Sequence, residues 1–70
     1  MTIKECKFAI ARTKKLIKSF EERVAYYTEA VREEPDNLIF EDNLRDLIGT
    51  LHKLIVDLKM LQQELSRLEN

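Results

Sequence analysis

FEDNLRDLIGTLHKLIVDLKMLQQELSRL, from Phe40 to Leu68, is the stretch that decides the fold. Read in alternating steps of four and three, it gives Phe40, Leu44, Leu47, Leu51, Leu54, Leu58, Leu61, Leu65 and Leu68. All nine positions are apolar, and eight are leucine. That spacing marks the a/d seam of a helix made to lie against other helices. Beside the seam stand Ile48 and Ile55, which widen the stripe beyond what a two-stranded zipper uses.

The chain before this stretch carries the same period. Ile3, Cys6, Ile10, Thr13, Ile17, Phe20, Val24, Tyr27 and Val31 fall on one line, with β-branched residues at every a-type position. Ala9, Leu16 and Ala30 flank it. Thr2 can cap this helix, and Glu5 three residues on can close a capping box. The two seams are separated by Glu33-Glu34-Pro35-Asp36-Asn37. Pro35 lacks the helical donor and pushes Glu34 out of the α region, while Asp36 and Asn37 are favourable caps. The expectation is all-α: one domain over residues 1–70, with a first helix at about 2–33, a loop at about 33–37 and a second helix at about 37–69. A short loop makes the helices antiparallel neighbours. With facing positions summing to about 71, Ile10 meets Leu61, Ile17 meets Leu54 and Val24 meets Leu47. The same sum places Lys7 level with Glu64, Lys14 level with Asp57, and Cys6 near residue 65.

Composition agrees with this class. Charged residues make up 36% and apolar residues 44% of a 70-residue chain with one Gly and one Pro, the profile of a long-helix protein rather than a disordered one. No apolar run approaches the ~20 residues of a membrane span. The basic, amphipathic first fifteen residues resemble a mitochondrial presequence in composition. Their apolar period runs on past Phe20, however, as a cleavable leader's would not, and the expected location is cytoplasmic. One cysteine permits no internal disulfide.

A hairpin of two helices buries only the seam between them. The extra apolar rows therefore predict a further partner, and a second copy forming a four-helix bundle is the simplest. The expected oligomer interface comprises Ala9, Leu16, Ala30, Ile48, Leu51 and Ile55. Charge is distributed unevenly about a net of −1. Residues 4–18 carry six bases and one acid, whereas residues 21–46 carry nine acids and three bases. Two hairpins with loops at opposite ends would set basic against acidic ends, and that orientation is expected.

The chemistry available is sparse. The single His52 and single Cys6 lie far apart along the expected rod, so they form no nucleophile pair. No zinc-ligand spacing, calcium loop, Gly-rich phosphate loop or Glu-x-x-His pair is present. The expectation is no enzyme, no metal and no cofactor. Two surface features point to partners. Lys4, Lys7, Arg12, Lys14, Lys15 and Lys18 place positive charge near a helix N-terminus, where the macrodipole opposes it. They form a candidate face for nucleic acid or for an acidic protein. Phe8, Val56 and Met60 lie off both seams at comparable heights, as a candidate apolar patch. The leading expectation is a homodimeric protein–protein interaction module that serves as scaffold, small chaperone or regulator, with itself and another helical protein as the expected partners. A nucleic-acid-binding regulator is the alternative, and membrane docking ranks below both.

The stretch Tyr27-x-x-Ala30 with Pro35-Asp36-Asn37 resembles the junction between tetratricopeptide units. It spans about eleven residues, but the helices here are about twice the length that the repeat uses and its other marker residues are missing, so that repeat is not the expected architecture. In form alone the hairpin resembles the Rop-type bundles that bind paired RNA loops and the hairpin chaperones of secretion systems.

Overall fold

Thr2 opens the first helix through its side chain. Its hydroxyl accepts a hydrogen bond from the Glu5 N–H at 3.1 Å, and its own N–H donates to Glu5 Oε1 at 2.9 Å. This reciprocal capping box satisfies donors that the first helical turn leaves free. In the computed structural model, which describes all 70 residues, α1 then runs unbroken from Ile3 to Glu33. The Glu34 N–H still reaches the Ala30 carbonyl at 2.9 Å, and the helix stops there because Pro35 follows.

The connection is a single turn. The Asn37 N–H donates to the Glu34 carbonyl at 3.0 Å, placing Pro35 at the second position of a four-residue turn, where its fixed φ is favourable. Asn37 then caps the second helix, α2, which spans Leu38–Glu69; its side chain accepts from the Ile39 N–H at 3.1 Å. The helices lie side by side and antiparallel as a hairpin 52 Å long and about 14 Å across. That length matches about 32 residues at ~1.5 Å each, so both helices run the full rod.

The two apolar seams face each other. Apart from Ile3 at the open end, every seam residue of both helices is buried or half-buried. Tyr27 and Phe40 close the seam at the loop end, with ring centroids 6.1 Å apart and planes tilted by 59°. At the other end the Cys6 thiol is fully enclosed and donates to the Leu61 carbonyl at 3.3 Å. This contact falls one helical turn from the expected neighbourhood of residue 65. A thiol in a closely packed seam takes the nearest carbonyl its rotamer reaches, whichever residue is level with its backbone.

Burial stays shallow all the same. Only Cys6 (0% exposed) and Ile10 (8%) are fully buried. Two helices in contact along one line leave most seam side chains with one flank toward solvent. No helix is long and apolar enough to cross a membrane.

Candidate interaction surfaces

A hairpin has two flanks, one on each side of the plane containing both helix axes. In an antiparallel pair, e-type positions of the two helices share one flank and g-type positions share the other. The Lys7 ammonium lies 3.9 Å from the Glu69 carboxylate, which fixes the first of these flanks, since both are e-type. The second is fixed by grooves that draw on both helices. One is lined by Thr13, Asp57, Met60, Leu61 and Glu64, with Met1 at its end. Another is lined by Arg23, Tyr27, Asn43, Asp46 and Leu47. Arg23 stands two turns beyond Leu16 in the same row, so this is the flank of Ala9, Leu16 and Ala30.

This geometry divides the expected oligomer interface. Ala9, Leu16 and Ala30 lie on what we call the Leu16 flank. Ile48 and Ile55 lie on the Lys7 flank, in the row that ends at Glu69. Leu51 belongs to the seam itself and is half-buried. Leu16 and Ile48 are the row members left most open, at 41% and 43%. A single partner helix can cover one of the two rows, not both.

The expected ion pairs are corrected on the same ground. Lys7 meets Glu69, not Glu64, because Lys7 and Glu64 lie at similar heights on opposite flanks. Glu64 is held instead by Arg67, whose Nε donates to Glu64 Oε2 at 3.0 Å. Lys14 and Asp57 are separated in the same way, and neither makes an ion pair. The apolar patch is divided too. Phe8 stands two residues, about 200° of helix rotation, from both buried Cys6 and buried Ile10, so it faces outward from α1. Val56 bears the same relation to Leu54 and Leu58 and faces outward from α2, in the opposite direction. Of the three, only Met60 lines a groove, together with Met1.

All six residues of the basic group are exposed. Four of them, Lys4, Lys7, Lys14 and Lys18, run along one line on the Lys7 flank. Arg12 lies toward the Leu16 flank, and Lys15 on the outer face of α1. Lys59 of α2 also stands on the Lys7 flank, one turn beyond Ile55. Reading α1 alone missed it; the helical spacing Ile48, Ile55, Lys59, Gln62 would have shown it.

Three titrating groups are displaced from their ordinary values. The Thr2 backbone N–H, then the Thr2 hydroxyl, hold the Glu5 carboxyl below the usual carboxylate value. A hydrogen bond from Arg67 lowers Glu64, and the same contact raises Arg67. All are surface contacts near the open end and belong to capping and helix-face pairing. No three His, Cys, Asp or Glu side chains come together as a metal-binding group. Cys6 is enclosed while His52 is exposed, with no contact between them. Compared with protein-family models, curated proteins and solved structures, the chain has no match in any of the three.

Proposed function

We propose that this chain is a non-enzymatic protein–protein interaction module, a helical hairpin that pairs with a second copy and acts as a scaffold, small chaperone or regulator. The observation that carries the reading is the shallow core: only two of 70 residues are fully buried, beside two continuous seams and two extra apolar rows. A chain this short gains much of its stability from whatever covers such rows.

The second copy is placed on the Leu16 flank. That flank holds grooves formed between both helices, and its apolar residues Leu16, Met60 and Met1 lie beside them. Leu16 is near the middle of α1 (Ile3–Glu33), so a two-fold axis crossing the rod at mid-length brings it close to its own copy. That axis puts the loops at opposite ends and brings Arg12, the base of residues 4–18 that lies toward this flank, to the acidic loop half of the other copy, while Lys4, Lys7, Lys14 and Lys18 stay on the far flank. A cytoplasmic setting is part of the proposal, in keeping with a lone thiol that has no internal partner for a disulfide.

Size exclusion coupled to light scattering tests the assembly. The expected mass is twice the 8.3 kDa of the chain. A stable species of single-chain mass across the concentration range would overturn the homodimer.

A further inference from the structure

The bases of this protein are segregated by face, and net charge conceals it. On α1, Lys4, Lys7, Lys14 and Lys18 follow steps of three and four through Ala11, so they form one straight line on the Lys7 flank. Lys59 stands on the same flank of α2, level with the middle of that line. The open half of this flank therefore holds five bases, with Glu69 as its single acid. The rest of the chain has seven bases and twelve acids. A molecule of net charge −1 thus presents one half-face of +4 and a remainder of −5.

Fold stability does not account for this line. Lys4 in the first turn opposes the macrodipole, Lys18 alone has acids three and four residues on (Glu21 and Glu22), and α2 offers no acidic row across from the line. Its residues on that flank are Ile55, Gln62 and Glu69. Only Lys7 has an ion pair, at 3.9 Å; Lys4, Lys14, Lys18 and Lys59 have none. All five ammonium groups are exposed.

We propose that Lys4, Lys7, Lys14 and Lys18, together with Lys59, form a face that binds the phosphate backbone of a nucleic-acid duplex without regard to its sequence. The line from Lys4 to Lys18 is about 21 Å long at ~1.5 Å per residue. A duplex carries a charge every ~1.7 Å of its axis, so each of the five ammonium groups finds a phosphate within reach. Lysines act as point charges on flexible stems and suit backbone contact. The forked guanidinium that reads guanine is missing from this half-face. Phe8, four residues from Lys4, is the one exposed ring bordering the line, and a single ring at its end is too little for successive single-stranded bases to stack on; the tyrosines are at the loop end. Open apolar residues flank the line only singly, Ile3 and Phe8 beside Lys7 and Lys4 and Val56 beside Lys59, and none borders Lys14 or Lys18, so no continuous apolar stripe is there to insert among acyl chains. This inference is independent of the dimer, because a single hairpin presents the same line. With a second copy on the Leu16 flank, the line remains open.

The test uses the full chain and fluorescence anisotropy, with DNA and RNA duplexes, a single strand of matching length, and vesicles containing anionic lipid. Titrations run from low to physiological salt. Duplex binding should weaken with a log–log slope of about −4 to −5, from about 0.9 per phosphate contacted. Lys14→Gln/Lys18→Gln should reduce that slope by about 2 and weaken binding more than tenfold at low salt. Arg12→Gln/Lys53→Gln removes equal charge from positions off the line and should leave the slope unchanged. All four substituted residues are exposed, and circular dichroism confirms equal helicity. Equal losses in the two double variants would reduce the effect to overall charge and overturn the assigned face. So would preference for the single strand, binding to vesicles without binding to duplex, or no duplex binding at low salt. Light scattering on the same samples reports the oligomer separately, so failure here leaves the interaction module standing, and the reverse.

Discussion

Alanine at Leu16, compared with alanine at Ile48, distinguishes the flank that pairs. The two side chains are nearly equally open in the hairpin, at 41% and 43%, and each sits in the first row beside a seam. Fully burying a side chain of this size contributes about 1.5–3 kcal/mol, so the open two-fifths represent roughly 1 kcal/mol that only a partner can supply. A two-fold interface uses the residue twice, giving about 2 kcal/mol per dimer, or roughly a 30-fold change in dissociation constant. Sedimentation equilibrium on both variants measures it. Leu16→Ala should raise the dimer Kd about 30-fold, and Ile48→Ala should leave it within about two-fold. Both should lose similar stability within the protomer, since both forfeit similar contacts to the seam. If Ile48→Ala dissociates the dimer and Leu16→Ala does not, the second copy sits on the lysine flank. If neither changes the Kd, the apolar rows are not what holds two copies together.

Two further outcomes test the helices themselves. Gly49 lies on the exposed face of α2, and a Cβ built there meets nothing within 4 Å, so Gly49→Ala should stabilise by about 1 kcal/mol and raise Tm by about 4–8 °C; a lower Tm would mean that another chain packs against that glycine. Thr2→Ala should cost about 0.5–2 kcal/mol in chemical denaturation by removing the cap. Because Glu5 and Glu64 titrate below the ordinary carboxylate value when folded, they add stability above that value and lose it as pH falls through their folded values. Tm should therefore drop in acid, and less steeply in Glu5→Gln, which keeps an acceptor for the Thr2 N–H but has no carboxylate to protonate; an unchanged acid limb in that variant would contradict the capping account.

The two helices and their antiparallel meeting were legible in the sequence because they rest on period. A spacing of three and four repeated over nine positions leaves one helical reading, and Pro35 between two such runs leaves one place to turn. The surface was less legible, for a specific physical reason. Height along a rod is a single coordinate, and two residues can share it while facing opposite ways. Lys7 and Glu64 agree in height and in sign yet lie on different flanks; Phe8 and Val56 stand about two turns apart in height and point in opposite directions. The heptad letters already held the missing coordinate, since e-type meets e-type and g-type meets g-type in an antiparallel pair. Applying them would have joined Lys7 to Glu69, moved Arg12 and Lys15 off the basic line, and brought Lys59 onto it. The Cys6 contact was beyond that reach, because it depends on a rotamer and a carbonyl rather than on a row.

The enclosed thiol also gives the molecule a built-in clock. Cys6 is the chain's only cysteine, completely shielded, and it lies toward the open end of the rod, the end farthest from the turn. A thiol reagent in solution can reach it only while the terminal turns of α1 and α2 stand apart. The rate of modification, extrapolated to high reagent, thus counts how often that end opens. Compared with the rate of global unfolding, it shows whether the rod parts from its tips as a zipper does or separates along its whole length at once.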